Sequence, residues 1–236
     1  MKRLLLLTLL IALTLPTIPA LTEEQPPEPT IMPQAIIQLN KNPDYIGWIK
    51  IPKTVVDYPI YQTDDEDNDS PYLSDYHALY ASSASDNPLI VFGHHMKSGK
   101  MFAVLEKYKQ PKFAKEHSLI NISTIYSDHT YQTCAVYRFK DGEGFQDLNG
   151  DGELNYQDIF GNEDPTTFIA FLQTYEGTYY YDAKLLNDAY VAARAEDPEA
   201  IPNLLILKTC TYRTGYNSGK KLKDAGLAVL AVEITP

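Results

Sequence analysis

Short apolar segments with an alternating pattern run through the chain from residue 45 onward. Apolar and polar residues alternate over 45–52 (YIGWIKIP) and over 55–62 (VVDYPIYQ), and a tight turn between them is expected. Alternation of this kind predicts half-buried strands, here paired as a hairpin. Further strands are predicted at 88–92, 119–126, 130–139, 204–207 and 227–234.

Three stretches, 101–108, 166–175 and 183–195, have apolar residues at helical spacing, which predicts helices. Many short strands with a few helices between them favour a mainly β fold, a β-barrel decorated with helices. The 18 tyrosines fit this class, because aromatic residues prefer half-buried strands.

The first 41 residues differ in composition from the rest. Lys2 and Arg3 precede the apolar segment 4–15, which is followed by prolines and small residues. This order predicts a secretory signal peptide or a membrane anchor over 1–21, and it leaves both alternatives open. In either case we expect the remaining chain to lie on the extracellular face of the membrane or to be secreted. Residues 22–41 are rich in proline and predict an extended linker.

The net charge of the chain argues against one class of binding partner, nucleic acids. It is −11, from 20 basic and 31 acidic side chains. Nucleic-acid binding needs a clustered basic face, and the sequence contains no basic run, so we expect no nucleic-acid partner. With 236 residues, 44% of them hydrophobic, the chain can build one sizeable domain.

Two cysteines, Cys134 and Cys210, occur in the chain. In an exported protein one disulfide is the usual interpretation. However, a domain of this size does not depend on such a link, and Cys210 follows an apolar strand, where a rigid scaffold can hold a reactive side chain. Cys134 lies in mid-strand, where we expect it to pack as a small buried hydrophobe.

A histidine, His94, follows another apolar strand in the same way. A thiol is mostly protonated at neutral pH, and an imidazole can pass a proton to a leaving amine. Cys210 with His94 is therefore the smallest set that supports thioester chemistry. On the residues alone, a buried thiol and a loop histidine are the alternative.

Three motifs in combination resemble the sortase family, most of all class B. The stretch 90–102 (IVFGHHMKSGKMF) is similar to the family's apolar strand, Gly-His-Asn-Met sequence and Met-Phe helix start. The stretch 207–212 (LKTCTY) resembles the Thr-Leu-x-Thr-Cys strand end, and 42–60 resembles the first two barrel strands. The resemblance covers 42–236 and implies a catalytic domain built as a closed β-barrel of about eight strands with inserted helices.

The resemblance also implies an activity, that of a cysteine transpeptidase with Cys210 as nucleophile and His94 as general acid. His95 stands where the family has asparagine. Such an enzyme cleaves a C-terminal sorting motif of a secreted protein and joins the acyl group to an amine of a cell-wall peptide or a pilin. No organic cofactor is implied. A hydrolytic cysteine peptidase and a non-catalytic peptide-binding module are the alternatives.

One departure from the family concerns the arginine that sortases carry just before the last strand. There it donates hydrogen bonds to the substrate and to the oxyanion. The corresponding stretch 220–227 (KKLKDAGL) has no arginine, and Gly226 or Leu227 stands at its place. Arg213, three residues after Cys210, is the candidate substitute, with the three lysines of 220–223 as alternatives. A missing oxyanion donor costs on the order of 10²–10³ in rate.

The stretch 147–158 (DLNGDGELNYQD) matches the spacing of a twelve-residue calcium loop, with glycine at the sharp turn. Its final position is aspartate, which resembles the loops of dockerin modules. We expect a Ca²⁺ site in a loop inserted into the catalytic domain; a metal-free turn is the alternative. The predicted ligands are Asp147, Asn149, Asp151, Glu153, Asn155 and Asp158.

Overall fold

The computed structural model describes residues 30–62, 79–81, 87–140, 172–173, 177–195, 197–210 and 225–234, without the side chains of 80, 139, 140, 210 and 225. These residues form strands, α-helices and one 3₁₀ helix. The strands are β1 (Tyr45–Lys50), β2 (Asp57–Gln62), β3 (Leu79–Ala81), β4 (Leu89–Phe92), β5 (Leu119–Thr124), β6 (Asp128–Lys140), β7 (Thr178–Tyr181), β8 (Leu204–Cys210) and β9 (Ala225–Glu233). The helices are α1 (Pro33–Leu39), the 3₁₀ helix Phe102–Lys109, α2 (Pro111–Glu116) and α3 (Ala183–Ala193).

The strands form a closed barrel. Their hydrogen-bonded order is β5-β1-β2-β3-β4-β8-β9-β6, and the pairing of β5 with β6 closes the ring. The remaining described strand, β7, pairs with the second half of the long β6. The predicted mainly β fold, a closed barrel of about eight strands with helices, is confirmed.

Strand β8 shows why the chain carries unbroken apolar runs as well as alternating ones. Leu205 and Leu207 belong to the core inside the barrel. Leu204 and Ile206 point the other way, into a second core that includes Leu186 of α3. Both faces of β8 are therefore buried, and apolar residues are favourable at every position. In β1, by contrast, Ile49 is buried while the neighbouring Lys50 is exposed.

Helix α1 corrects one expectation. Residues 22–41 were expected to form an extended linker, yet 33–39 are helical and Ala35 is buried. The backbone N–H of Met32 donates to the carbonyl of Ile125 at 2.9 Å, which ties this segment to the barrel. Proline at the first helical position needs no hydrogen-bond partner and has the right φ, so Pro33 starts the helix rather than preventing it.

The segment predicted as a helix at 101–108 is a 3₁₀ helix, and a separate α2 follows it. Gln110, between the two, has extended backbone angles, because a residue before proline avoids the helical region. The helix predicted at 183–195 is confirmed as α3, and the one at 166–175 lies almost wholly outside the described residues. Within the described ranges no helix has the length and apolar character needed to cross a membrane.

Candidate active site

The parallel pairing of β4 with β8 brings the positions of His94 and Cys210 to one edge of the barrel. Phe92, the last residue of β4, lies opposite Lys208. The backbone N–H of Gly93 continues the pairing by donating to the carbonyl of Lys208 at 3.1 Å. His94 lies two positions after Phe92, and Cys210 lies two positions after Lys208. Adjacent strands lie about 4.8 Å apart. The backbone thus brings the two predicted residues together, although the Cys210 side chain is outside the described part.

A buried side-chain hydrogen bond joins the same two strand ends. The Thr209 hydroxyl donates to the carbonyl oxygen of Gly93 at 2.6 Å, and Thr209 is 3% exposed. This bond links the residue before Cys210 to the residue before His94. A buried hydroxyl needs such a partner, so the two strand ends are held in one relative position. The motif identified Thr209 by its place before the cysteine, but the sequence did not predict its partner.

Close packing under Gly93 sets the course of the chain just before His94. A Cβ atom at Gly93 would lie 2.4 Å from Cδ2 of Leu79 and 2.6 Å from Cδ2 of Phe102. Both contacts are far shorter than van der Waals distance, so any other residue would displace the strand end or the core beneath it. Glycine is therefore required at this position by packing.

The loop after His94 is held at several points. The N–H of Phe102 donates to the carbonyl of His94 at 2.9 Å, and His95 bridges to Met101. The N–H of Met101, a buried residue, bonds the Tyr58 hydroxyl at 3.2 Å. These contacts fix the backbone on both sides of the half-buried His94.

An open cavity of about 620 Å³ lies beside this loop. His95 lines it, and its Nδ1 is 4.0 Å from Oε1 of Glu106, whose other oxygen pairs with Lys109 at 2.7 Å. The cavity is large enough for several residues of an extended peptide. Its lining residues are His95, Met96, Lys97, Gly99, Ala103, Glu106, Lys107 and Gln110.

The register of β8 and β9 bears on the missing arginine. Gly226 lies directly opposite Cys210, and Leu227 lies opposite Thr209. The strand beside Cys210 therefore presents no cation at the expected position. A cation that sequence reasoning overlooked is Lys208, whose Nζ lies 5.1 Å from the centre of the Phe92 ring at the same edge. Arg213 and residues 220–223 lie outside the described residues.

Cys134 is a free cysteine in the second core, so it is not bridged to Cys210. It is fully buried, and its Sγ donates to the carbonyl of Leu230 at 3.5 Å. Burial raises the pKa of the Cys134 thiol well above its usual range, with a smaller contribution from Asp182. Cys134 is therefore inert as a nucleophile.

The predicted calcium ligands, Asp147, Asn149, Asp151, Glu153, Asn155 and Asp158, all lie outside the described residues. Elsewhere, in the ranges that the structure covers, no three His, Cys, Asp or Glu side chains are grouped as metal ligands.

Comparison with known proteins supports the motifs. No protein-family model matches the chain. A sortase B of Listeria monocytogenes is 32% identical over 41% of this chain and 43% of its own length. A sortase B of Staphylococcus aureus is 25% identical over 49% of this chain and 52% of its own length. The matches thus span about half the length of these relatives.

Solved structures are similar over most of the chain. A sortase B–substrate complex of Staphylococcus aureus has a TM-score of 0.57 and 19% identity, covering 87% of this chain and 86% of that one. Sortase B of Bacillus anthracis, in complex with AAEK2, has a TM-score of 0.60 and 20% identity, covering 91% and 88%. The fold is that of class B sortases, and the resemblance to the sortase family, class B most of all, is confirmed.

Proposed function

We propose that this chain, which has the fold of class B sortases, is a cysteine transpeptidase with Cys210 as nucleophile and His94 as general acid. The observation that carries the proposal is the β4–β8 register, which brings these two positions to adjacent strand ends. The Thr209–Gly93 hydrogen bond adds to it, because catalytic groups need fixed relative positions to within a fraction of an ångström.

The reaction proceeds by two acyl transfers. The Cys210 thiolate attacks the carbonyl carbon of a Thr–Gly or similar bond in a sorting motif, and a C–S bond forms as the C–N bond breaks. His94 protonates the leaving amine. An amine of a cell-wall peptide or a pilin lysine then attacks the thioester and releases the Cys210 thiolate. The acceptor amine loses a proton in this second step, and neutral His94 is positioned to take it.

The cavity beside His95 provides room for the peptide. Its volume of about 620 Å³ and its place next to the His94 loop suit one side of an extended motif. The sorting motif is of the Asn-Pro-x-Thr type in the class that this chain resembles. Charge on the oxyanion is stabilised by Arg213, with the lysines of 220–223 and Lys208 as alternatives.

A second candidate function follows from Gly226. Because glycine lies opposite Cys210, and the family's arginine position falls at Gly226 or Leu227, the chain could bind sorting peptides without turning them over rapidly. Loss of one oxyanion donor corresponds to on the order of 10²–10³ in rate. Under this second proposal the protein is a peptide-binding module with weak or no transfer activity. A hydrolytic peptidase, in which water rather than an amine resolves the thioester, lies between the two proposals.

Incubation with a motif peptide, with and without a triglycine acceptor, separates these functions. A transpeptidase forms the peptide–triglycine product only when the acceptor is present, and it then cleaves the motif peptide faster than without acceptor. Cleavage at the same rate without acceptor indicates a hydrolytic peptidase. Peptide binding without cleavage, retained in Cys210→Ala, indicates the binding module and contradicts the enzyme.

We further propose that 147–158 binds Ca²⁺ as a local staple of an inserted loop. Titration calorimetry with CaCl₂ is expected to show one site, lost in Asp147→Ala and retained in Asp197→Ala, an aspartate outside the loop. Binding unchanged by Asp147→Ala contradicts the assignment.

We also propose that residues 1–21 serve as a signal peptide or anchor that brings the enzyme to the extracellular face of the membrane. N-terminal sequencing of the exported protein distinguishes the two.

A further inference from the structure

Four polar side chains form a continuous hydrogen-bonded chain at the end of the barrel opposite Cys210. The Ser127 Oγ lies 2.7 Å from Nε2 of His129. Nδ1 of the same ring lies 2.7 Å from Oε1 of Glu233. The second Glu233 oxygen, Oε2, accepts from Nδ2 of Asn203 at 2.6 Å. We call these four residues the relay.

The direction of the relay follows from its chemistry. A carboxylate can only accept hydrogen bonds, so Nδ1 of the neutral His129 ring must carry the proton that Glu233 accepts. The other ring nitrogen, Nε2, then has a lone pair, and the Ser127 hydroxyl must donate to it. A hydroxyl that donates to an imidazole, which in turn donates to a buried or half-buried carboxylate, is the arrangement that activates a serine for acyl transfer.

Strand pairing holds the relay in place. Ser127 immediately precedes β6 and His129 is the second residue of that strand, and alternate residues of an extended chain share one face. Glu233 ends β9, directly opposite Tyr131 of β6. The N–H of Glu233 also bonds the carbonyl of Asn203, so the backbone supports the side-chain contact. None of these residues is near Cys210, which lies at the other end of β8.

Solvent and small molecules can reach the relay. Ser127 is exposed, while the side chains of His129 and Glu233 are 28% and 20% exposed. An open groove of about 480 Å³ has His129 in its lining, together with Trp48, Asp128 and Thr130. Ser127 is not among the residues that line this groove, so an ester reaches its exposed hydroxyl directly from solvent.

We propose that Ser127, His129 and Glu233 form a second acyl-transfer site, which takes small carboxylic esters. Ser127 Oγ forms a bond to the ester carbonyl carbon, and its proton moves to His129 Nε2. The ester C–O bond breaks, and the leaving alkoxide takes that proton. Water attacks the acyl-serine in the second step, releases the carboxylic acid and restores the hydroxyl. Glu233 and Asn203 are positioning residues that hold the ring.

The backbone around Ser127 limits the rate of this site. The N–H groups of Tyr126 and Ser127 both donate to the Thr124 hydroxyl, at 3.2 and 3.1 Å. Both N–H groups are therefore occupied and do not stabilise an oxyanion. The absence of such a donor lowers the rate by a factor on the order of 10²–10³. We expect rapid acylation only by activated esters, and slow turnover.

The test uses p-nitrophenyl acetate on the full chain carrying Cys210→Ala, so that its outcome is independent of the function proposed for Cys210. Acetylated residues are mapped by peptide mass spectrometry over time. We expect Ser127 to be acetylated at least about tenfold faster than Ser123, a serine outside the relay that lines the groove. This comparison within one protein needs no folding control.

Two variants sharpen the result. His129→Gln is expected to reduce Ser127 acetylation to the rate of Ser123, and Glu233→Gln to reduce it partially, while a melting curve verifies that each variant is folded. Equal acetylation of Ser127 and Ser123 overturns the proposal. So does Ser127 acetylation that is unchanged in folded His129→Gln.

Discussion

The two ends of the barrel hold their polar groups by different means. At one end, the backbone of two parallel strands brings the positions of His94 and Cys210 together, and one buried bond from Thr209 links the strand ends. At the other end, side chains make the connections, from Ser127 through His129 to Glu233. The ends are roughly 20 Å apart, because β8 runs the length between them.

This difference determines how each end responds to mutation. Strand register is maintained by many backbone bonds, so a change at the Cys210 end alters chemistry more than architecture, except at Thr209, whose side chain makes the buried bond. The relay consists of a few partly exposed side chains, so a change there alters local stability first.

The largest effect is expected for Cys210→Ala, which removes the proposed nucleophile. We expect transpeptidation to fall by at least about 10³-fold, and His94→Ala to have a comparable effect, because residues that act as one unit do not contribute additively. The double variant should then be no slower than either single variant. Initial rates with a motif peptide and triglycine measure this, and Cys134→Ala, at a buried inert thiol, is the control. A Cys210→Ala protein with normal rate contradicts the assignment.

Thr209→Val removes the bond that joins the two strand ends and leaves the Gly93 carbonyl buried without its partner. The expected cost in unfolding free energy is about 1–3 kcal/mol, accompanied by lower kcat at unchanged KM. Thr209→Ser retains the hydroxyl and is expected to restore kcat. Denaturant melts and steady-state kinetics measure the two effects.

Thr133→Val is the matched control for that change. Thr133 is fully buried, and its hydroxyl lacks a hydrogen-bond partner in the described structure. Replacing it by a methyl group is expected to leave stability unchanged or to raise it. Equal destabilisation by Thr209→Val and Thr133→Val would show that the Thr209–Gly93 bond has no special role.

At the relay end, Glu233→Gln introduces a donor where two donors already converge. If its NH₂ group faces Asn203, two donors meet; if it faces His129, the ring must change tautomer, so that Nδ1 accepts and Nε2 donates to Ser127. We expect a loss of about 1–2 kcal/mol in unfolding free energy. Glu116→Gln, which weakens an exposed pair with Lys112, is expected to cost less than about 0.5 kcal/mol. Equal effects of the two changes would contradict the ordered relay.

The smallest effect is expected on the outer face of the barrel. Hydrogen bonds from Lys50 and then Trp48 hold the pKa of Asp57 below its usual range. A lowered folded pKa means that this stabilisation is present above the unfolded pKa, about 3.9, and is lost as the pH falls through the lower folded value. Lys50 and Asp57 are 57% and 46% exposed, so Asp57→Asn should cost at most about 1 kcal/mol near pH 7. In paired melts, the difference between the two proteins should shrink as the pH is lowered below the unfolded pKa.

Much of the barrel was predictable because burial leaves a periodic signature. Strands β1, β2 and β4 lie within one or two residues of their predicted bounds, since alternation or an apolar run marks each of them. The two missed helices, α1 and α2, both begin with proline, at Pro33 and Pro111. The prolines of 22–41 indicated an extended linker, although the first helical position favours proline.

For the candidate sites, too, local sequence patterns identified some residues, and long-range strand pairing determined the others. His94 and Cys210 each follow an apolar strand, so local sequence identified both, and their adjacency needed only the parallel register. The relay depends on a register between β6 and β9 that joins residues about a hundred positions apart, and nothing near Ser127 or Glu233 in the sequence indicates it. The motif placed Gly226 or Leu227 at the family's arginine position, and the register between β8 and β9 adds that Gly226 lies opposite Cys210. Lys208 was overlooked because a lysine inside a strand motif has no distinctive pattern.

The central claim is that Cys210, and not another nucleophile, receives the acyl group of a sorting peptide. Brief incubation of the full chain with a motif peptide, acid quenching and peptide mass spectrometry would locate the acyl-enzyme. We predict the N-terminal part of the peptide as a thioester on Cys210, with less of it in the presence of triglycine and none in His94→Ala. Acylation at any other residue, or peptide cleavage with an unmodified Cys210, would contradict the account.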